Sequence, residues 1–201
     1  IYMRVVNVGL IGAGTVGCGV IKILNQNKEI IESRTGISLN LTKIADSDLN
    51  RKRPIKLPKR KLTKNAWDLI KDNSIDIVIE LVGGTTIAKD FVLESIKNGK
   101  HVVTANKALL AHHGKAIFAE AAKKGVEVGF EASVGGGIPI IKSTQESYAA
   151  NNILSIHGIM NGTSNYILST MTEHGYEFED VLKEAQEKGY AEEDPSFDID
   201  V

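Results

Sequence analysis

Apolar and polar positions fall into blocks along this chain, and the blocks change period. Residues 5–11 (VVNVGLI) are almost continuously apolar, the pattern of a buried strand. Val16, Val20, Ile23 and Leu24 then recur at helical spacing, which predicts a helix running through Ile30 and Ile31 and ending before Gly36. Leu39–Ala45 reads as a second strand, and Thr63–Asp72 as a short helix burying Trp67, Leu69 and Ile70. Residues 75–82 (IDIVIELV) are the mostly apolar run of a parallel strand. A helix over Lys89–Asn98, closed by Gly99, leads into a strand at His101–Thr104. A further helix, Gly114–Lys124, ends at Gly125 before a strand at Val126–Ala132. This β-α-β alternation predicts an α/β fold, a Rossmann-like doubly wound parallel sheet.

The texture changes at Glu131. Residues 131–141 (EASVGGGIPII) leave a strand through three glycines and Pro139, and enter a helix reaching about Tyr148. A strand at Ile153–Met160, a loop at Asn161–Asn165 and two helices, to Thr172 and over Phe178–Lys188, complete the pattern. We therefore expect a nucleotide-binding domain over 1–133 and the incomplete beginning of a second α/β catalytic domain over 134–201.

The first strand runs into Gly12, Ala13, Gly14, Thr15, Val16 and Gly17, the order G-x-G-x-x-G between a strand and a helix. In this setting the first glycine permits a tight turn and the second removes a Cβ that would block a pyrophosphate. The third lets the helix lie close, with its N-terminus aimed at the anion. Gly83 and Thr85, in the loop after residues 75–82, fall on the same carboxyl edge, where open α/β sheets hold ligands. Asp46 ends the second strand, where an acid can accept hydrogen bonds from an adenosine ribose. It lies further past the motif than the usual ~20 residues, so a strand-end turn acid is the competing reading. The basic run Arg51, Lys52, Arg53, Lys56, Lys59, Arg60 and Lys61 follows, interrupted by Pro54 and Pro58, and reads mostly as a solvated loop. A base here could hold a 2′-phosphate, so acid and bases pull in opposite directions on NAD versus NADP.

Bulk properties narrow the class. The 201 residues are 42% apolar and carry 24 basic and 25 acidic side chains, a net charge of −1, which points to neither nucleic acid nor a membrane surface. No apolar run reaches the length of a membrane span. The single cysteine, Cys18, cannot form an internal disulfide and suits a reducing, cytoplasmic compartment; it reads as a small core residue.

Lys107 follows the strand at 101–104 on the ligand edge. A lysine there can polarise a carbonyl or pass a proton; the competing reading is a solvated lysine that starts the next helix. The adjacent His112 and His113 point apart on any regular element and suit a wet loop. Glu192, Glu193, Asp194 and Asp198 form an acidic cluster open to three readings: a divalent metal, a substrate ammonium, or an exposed loop.

Taken together, GLIGAGTVG (9–17), ELVGG (80–84), TANKALLA (104–111), EASVGGGIPII (131–141), NGTSNYIL (161–168) and AQEKGYAEEDPSFDID (185–200) resemble homoserine dehydrogenases over essentially the whole chain. The resemblance implies NAD(P)-dependent interconversion of L-homoserine and L-aspartate 4-semialdehyde in threonine, methionine and isoleucine biosynthesis. It implies a role for Lys107 at cofactor or substrate with a part in proton transfer, Gly189 at the cofactor, Glu192 on the substrate amino group and Asp198 as a substrate-side acid. It implies a sodium ion bound by Glu131 and the carbonyls of Val134, Gly136 and Ile138, and a homodimer at full length. The family's pattern continues into a G-x-D-x-x-x-K-like segment whose Asp and Lys would fall after Val201. The 201-residue chain by itself is therefore expected to reduce little substrate. A semialdehyde dehydrogenase of the thioester type would need a thiolate, and Cys18 sits in the glycine turn. A nucleotide-sensing module is the non-enzymatic alternative, and it has no need for Lys107 or the acidic cluster.

Overall fold

The computed structural model describes residues 3–159, 161–191 and 195. It divides into two compact units, Ile1–Ile141 and Lys142–Val201.

The first unit is built on β1 (Arg4–Ile11), β2 (Ile37–Ala45), β3 (Leu62–Thr63), β4 (Ile77–Glu80), β5 (His101–Thr104) and β6 (Val128–Gly129). All pair in parallel, in the order β3-β2-β1-β4-β5-β6. The order reverses between β1 and β4, so the crevice beyond their carboxyl ends is the topological switch point. Burial on both faces explains the apolar strands. Val8 and Leu10 of β1, Leu41 and Ile44 of β2, and Ile21 of α1 (Thr15–Gln26) pack on one face. Ile11, Ala45 and Val78 face the other way, against Leu69 and Ile70 of α3 (Trp67–Ile70). On that second face α4 (Thr86–Lys97) and α5 (Lys107–Lys124) enclose Val92, Ile96, Val102, Leu109 and Ile117.

Several boundaries differ from the sequence expectation. The first helix breaks at Asn27 into α1 and α2 (Lys28–Thr35), the latter with no buried residue. The expected helix at Thr63–Asp72 opens instead with β3 and keeps a single turn as α3. The strand expected over Val126–Ala132 shrinks to β6, and Glu131–Ser133 forms a 3-10 turn. Helix α5 begins at Lys107, not Gly114, because Asn106 caps it: its side chain accepts from Leu109 N at 2.9 Å. His112 and His113 therefore lie on a helix rather than in a loop.

In the second unit a π-helical turn at Ser143–Ser147 follows the single turn α6 (Ile140–Lys142). Then α7 (Gly162–His174) and α8 (Phe178–Glu187) pack through Ile167, Val181, Ala185 and Ala191. Residues 153–159 of the expected strand form no ladder; Met160 lies outside the described residues. A strand needs a neighbour for its N–H and C=O groups, and none pairs with this segment among the described residues.

No helix among the described residues is long and apolar enough to cross a membrane. Leu109 is fully buried between α4, α5 and β5. Leu109→Ala should cost about 3 kcal/mol, read as a lower urea midpoint with an unchanged m-value.

Candidate functional site

The glycine turn is fixed by two close approaches. Gly12 has φ +96°, and a Cβ there would lie 2.5 Å from the Leu81 carbonyl oxygen. A Cβ on Gly17 would lie 2.1 Å from the Gly12 carbonyl oxygen. A side chain at Gly17 would push α1 off the end of β1, and one at Gly12 would part the ends of β1 and β4. Gly14 opens α1, and a Cβ there would meet Arg51 Nη1 at 3.7 Å. Thr15 and Val16 are exposed in the first helical turn. Their backbone N–H groups belong to the set that a helix cannot satisfy internally, and the helix dipole adds positive potential there. Cys18 is buried, with its thiol 3.4 Å from the Ala13 carbonyl, as expected of a small core residue.

Beside the turn lies a cleft of about 470 Å³. Gly12, Gly14, Asp46, Arg51, Lys64, Trp67, Val82, Gly83, Ile87 and Phe91 are among its lining residues. Trp67 and Phe91 meet edge to face at 5.2 Å between centroids and supply an apolar wall. Thr85 stands apart as the residue preceding α4.

The Asp46 carboxylate is committed to the turn. Its Oδ2 accepts from Ala13 N at 2.7 Å and from Arg53 Nη2 at 3.1 Å, and its Oδ1 accepts from Asp48 N at 2.9 Å. Burial alone would raise this carboxyl. The Asp48 and Ala13 N–H groups and the Arg53 guanidinium outweigh it and hold the group below its ordinary value. Arg53 also donates to the carbonyls of Ala13, Asp48, Leu49 and Arg51. Arg53, part of a basic run whose pattern suggests a solvated loop, is a buried clamp with its side chain 5% exposed. Nothing in the spacing of the basic residues marks it out.

A second network ties together the loops after β4, β5 and β6. Glu80 is fully buried at the end of β4. It accepts from Val82 N at 2.7 Å and from the Thr104 hydroxyl at 2.6 Å. Burial pushes its carboxyl above the ordinary glutamate value, and the two hydrogen bonds offset this only in part. The Asn106 side-chain amide donates to the carbonyls of Val82 and Gly84, and Ser133 Oγ donates to the Thr104 carbonyl. Lys107, exposed, is the first residue of α5. Glu80 was also missed from sequence, though an acid within residues 75–82 (IDIVIELV) is a readable signal.

Glu131 Oε1 accepts from Ile141 N at 2.9 Å, folding the glycine-rich segment back on itself. Gly135 and Gly137 have φ of +62° and +84° in that segment, which carries Val134, Gly136 and Ile138. Among the described residues no group of three or more His, Cys, Asp or Glu side chains converges as a metal site. In the second unit Gly189 follows α8 with φ +74°, and Thr163 Oγ1 donates to the Tyr190 carbonyl. Glu192 and Asp198 lie outside the described residues.

Comparison with known proteins is consistent along the chain. Residues 12–131 match the family model for the homoserine dehydrogenase NAD-binding domain, and residues 139–201 match the homoserine dehydrogenase model. This chain belongs to the homoserine dehydrogenase family. It is similar to homoserine dehydrogenases of Neisseria gonorrhoeae (52% identical) and Pseudomonas aeruginosa (50%), in each case over 98% of this chain and 45% of the relative. The crystal structure of the Thiobacillus denitrificans homoserine dehydrogenase superposes with a TM-score of 0.89 at 49% identity, covering 98% of this chain and 46% of that one. A hyperthermophilic archaeal homoserine dehydrogenase in complex with NADPH gives 0.80 at 25% identity, covering 98% and 65%. The chain spans about half the length of the curated relatives it matches.

The Asp46–Arg53 pair generates a prediction with a defined pH dependence. Asp46→Asn leaves a buried guanidinium without its counter-charge and should cost about 3 kcal/mol at pH 7. The folded-state value of Asp46 lies below its ordinary 3.8. Its stabilisation is therefore complete above that value and is lost as the pH falls through the folded value. The gap between wild type and variant, measured by urea unfolding, should be full at pH 7 and narrow below pH 3.8.

Proposed function

We propose that the full-length protein is a homoserine dehydrogenase that interconverts L-homoserine and L-aspartate 4-semialdehyde with NAD(P)H, serving threonine, methionine and isoleucine biosynthesis. The observation that carries this reading is family membership combined with a glycine-lined cleft at the switch point. The cleft fits a dinucleotide: a Cβ at Gly14 would meet only the tip of the Arg51 side chain, at 3.7 Å, whereas Gly12 and Gly17 are closed by backbone. The N–H groups at Ala13 to Gly17 would hold the pyrophosphate, and Gly83 and Thr85 would border the nicotinamide side. Asp46 would serve the cofactor chiefly by holding the turn through Ala13 N, while Arg51 and Lys64 give the cleft a basic lining. When bound, the cofactor supplies or accepts the hydride.

Lys107 would stabilise the negative charge that develops on the aldehyde oxygen and pass a proton to it. Glu192 would pair with the substrate ammonium and Asp198 would lie on the substrate side, with Gly189 at the cofactor; these three assignments rest on the sequence resemblance. A sodium ion would be held by Glu131 and the carbonyls of Val134, Gly136 and Ile138, an all-oxygen donor set suited to a hard cation. It would fix the segment that leads out of the nucleotide domain, whose boundary we place near Ser133. A homodimer, which rests on the sequence resemblance, and a cytoplasmic location, which a free cysteine thiol suits, complete the proposal.

Full-length protein incubated with homoserine and NAD+ or NADP+ should form reduced nicotinamide, followed by absorbance. Tight NADPH binding without homoserine-dependent reduction would overturn the enzymatic reading in favour of a sensor. Lys107→Ala should lower kcat by about 10²-fold or more with an unchanged melting temperature; equal melting loss with intact turnover would make Lys107 a helix-starting residue and nothing more.

A further inference from the structure

A buried acid without a cationic partner costs stability unless it is fully hydrogen-bonded. Glu80 is fully buried, and both its hydrogen-bond partners are neutral. An apolar residue would fill the same place in the sheet at lower cost, as Val78 does on the same strand. The position of Glu80 explains its chemistry. It is the last residue of β4, opposite Ile11 on β1 and Thr104 on β5, at the switch point itself.

Each carboxylate oxygen holds a different loop. Oε1 takes the N–H of Val82, ahead of Gly83 and Thr85. Oε2 takes the Thr104 hydroxyl, whose oxygen in turn accepts from Asn106 N at 3.1 Å. Asn106 caps α5, and Lys107 is the first residue of that helix. Asn106 closes the circuit through the carbonyls of Val82 and Gly84.

We propose that Glu80 is a positioning residue for the reaction: its two oxygens set the spacing between the Val82–Thr85 loop and the N-terminus of α5, and so place Lys107 against the cofactor. The proposal rests on the homoserine dehydrogenase reading. Glu80→Gln is nearly isosteric but turns one acceptor into a donor. That donor either faces the Val82 N–H, and that arm is lost, or faces the Thr104 hydroxyl, which must then turn its own proton away and accept a second hydrogen bond beside that from Asn106 N, so that arm is reversed and its geometry changes.

The test has two arms. In the full-length protein without homoserine, NADPH binding followed by nicotinamide fluorescence should weaken about tenfold in Glu80→Gln; an unchanged Kd overturns the proposal independently of any homoserine chemistry. In the full-length enzyme, Glu80→Gln should lower kcat by roughly 10 to 100-fold. In a Lys107→Ala background the same change should leave kcat nearly as it was, because the lysine it places is gone. An equal loss of kcat in both backgrounds, or a lower melting temperature with unchanged kcat, would make Glu80 merely structural. Should Glu80→Gln fail to fold, Thr104→Val should reproduce its kinetics and Thr104→Ser restore them; normal kcat in Thr104→Val would also overturn the proposal. An inactive wild-type enzyme would instead count against the homoserine dehydrogenase reading and leave the NADPH arm to decide on Glu80.

Discussion

The contact between Gly17 and the Gly12 carbonyl is the tightest constraint in the nucleotide-binding unit. A Cβ at position 17 would sit 2.1 Å from that oxygen, inside any van der Waals limit. The absence of one carbon lets α1 descend onto β1 and aim its N-terminus across the switch point. Gly12, pressed on the Leu81 carbonyl, brings the ends of β1 and β4 together beneath it. The crevice, the clamp on its rim and the loops around it all take their positions from this approach of backbone to backbone.

Two acids at the same sheet edge show how environment divides labour between identical groups. Asp46 and Glu80 each end a strand beside the crevice, and each binds a backbone N–H. Asp46 has Arg53 beside it and is held below its ordinary value, as a carboxylate. Glu80 has only neutral partners and is pushed up by burial. The first is therefore a fixed charge that steadies the glycine turn. The second is a brace between loops, and what its place requires is two acceptor oxygens.

The sequence was most legible where a local rule and the tertiary fold agree. The glycine spacing and the strand at 101–104 read directly, and the apolar run at 75–82 marks a strand of which Ile77–Glu80 pairs as β4, because a buried sheet face demands the same residues that favour strands. Boundaries failed where one polar side chain decided them. Asn106 begins α5 seven residues before the helix expected from Gly114, and β3 exists because Leu62 and Thr63 pair with Ile44 and Ala45 far upstream. Arg53 was hidden for a related reason. Seven bases stand between Arg51 and Lys61, and which of them turns inward depends on five oxygen acceptors assembled by the fold.

The Asn106 amide also has a mechanical meaning. It grips the carbonyls of Val82 and Gly84 while its own oxygen caps α5. Helix α5 is 18 residues long, a rod of about 27 Å at 1.5 Å per residue. A small swing of the loop after β4 cannot be absorbed at the joint, because the joint is hydrogen-bonded on both sides. The start of the rod is thereby tied to the crevice-side loop, while its other end, at Lys124 and Gly125, lies a full helix length away.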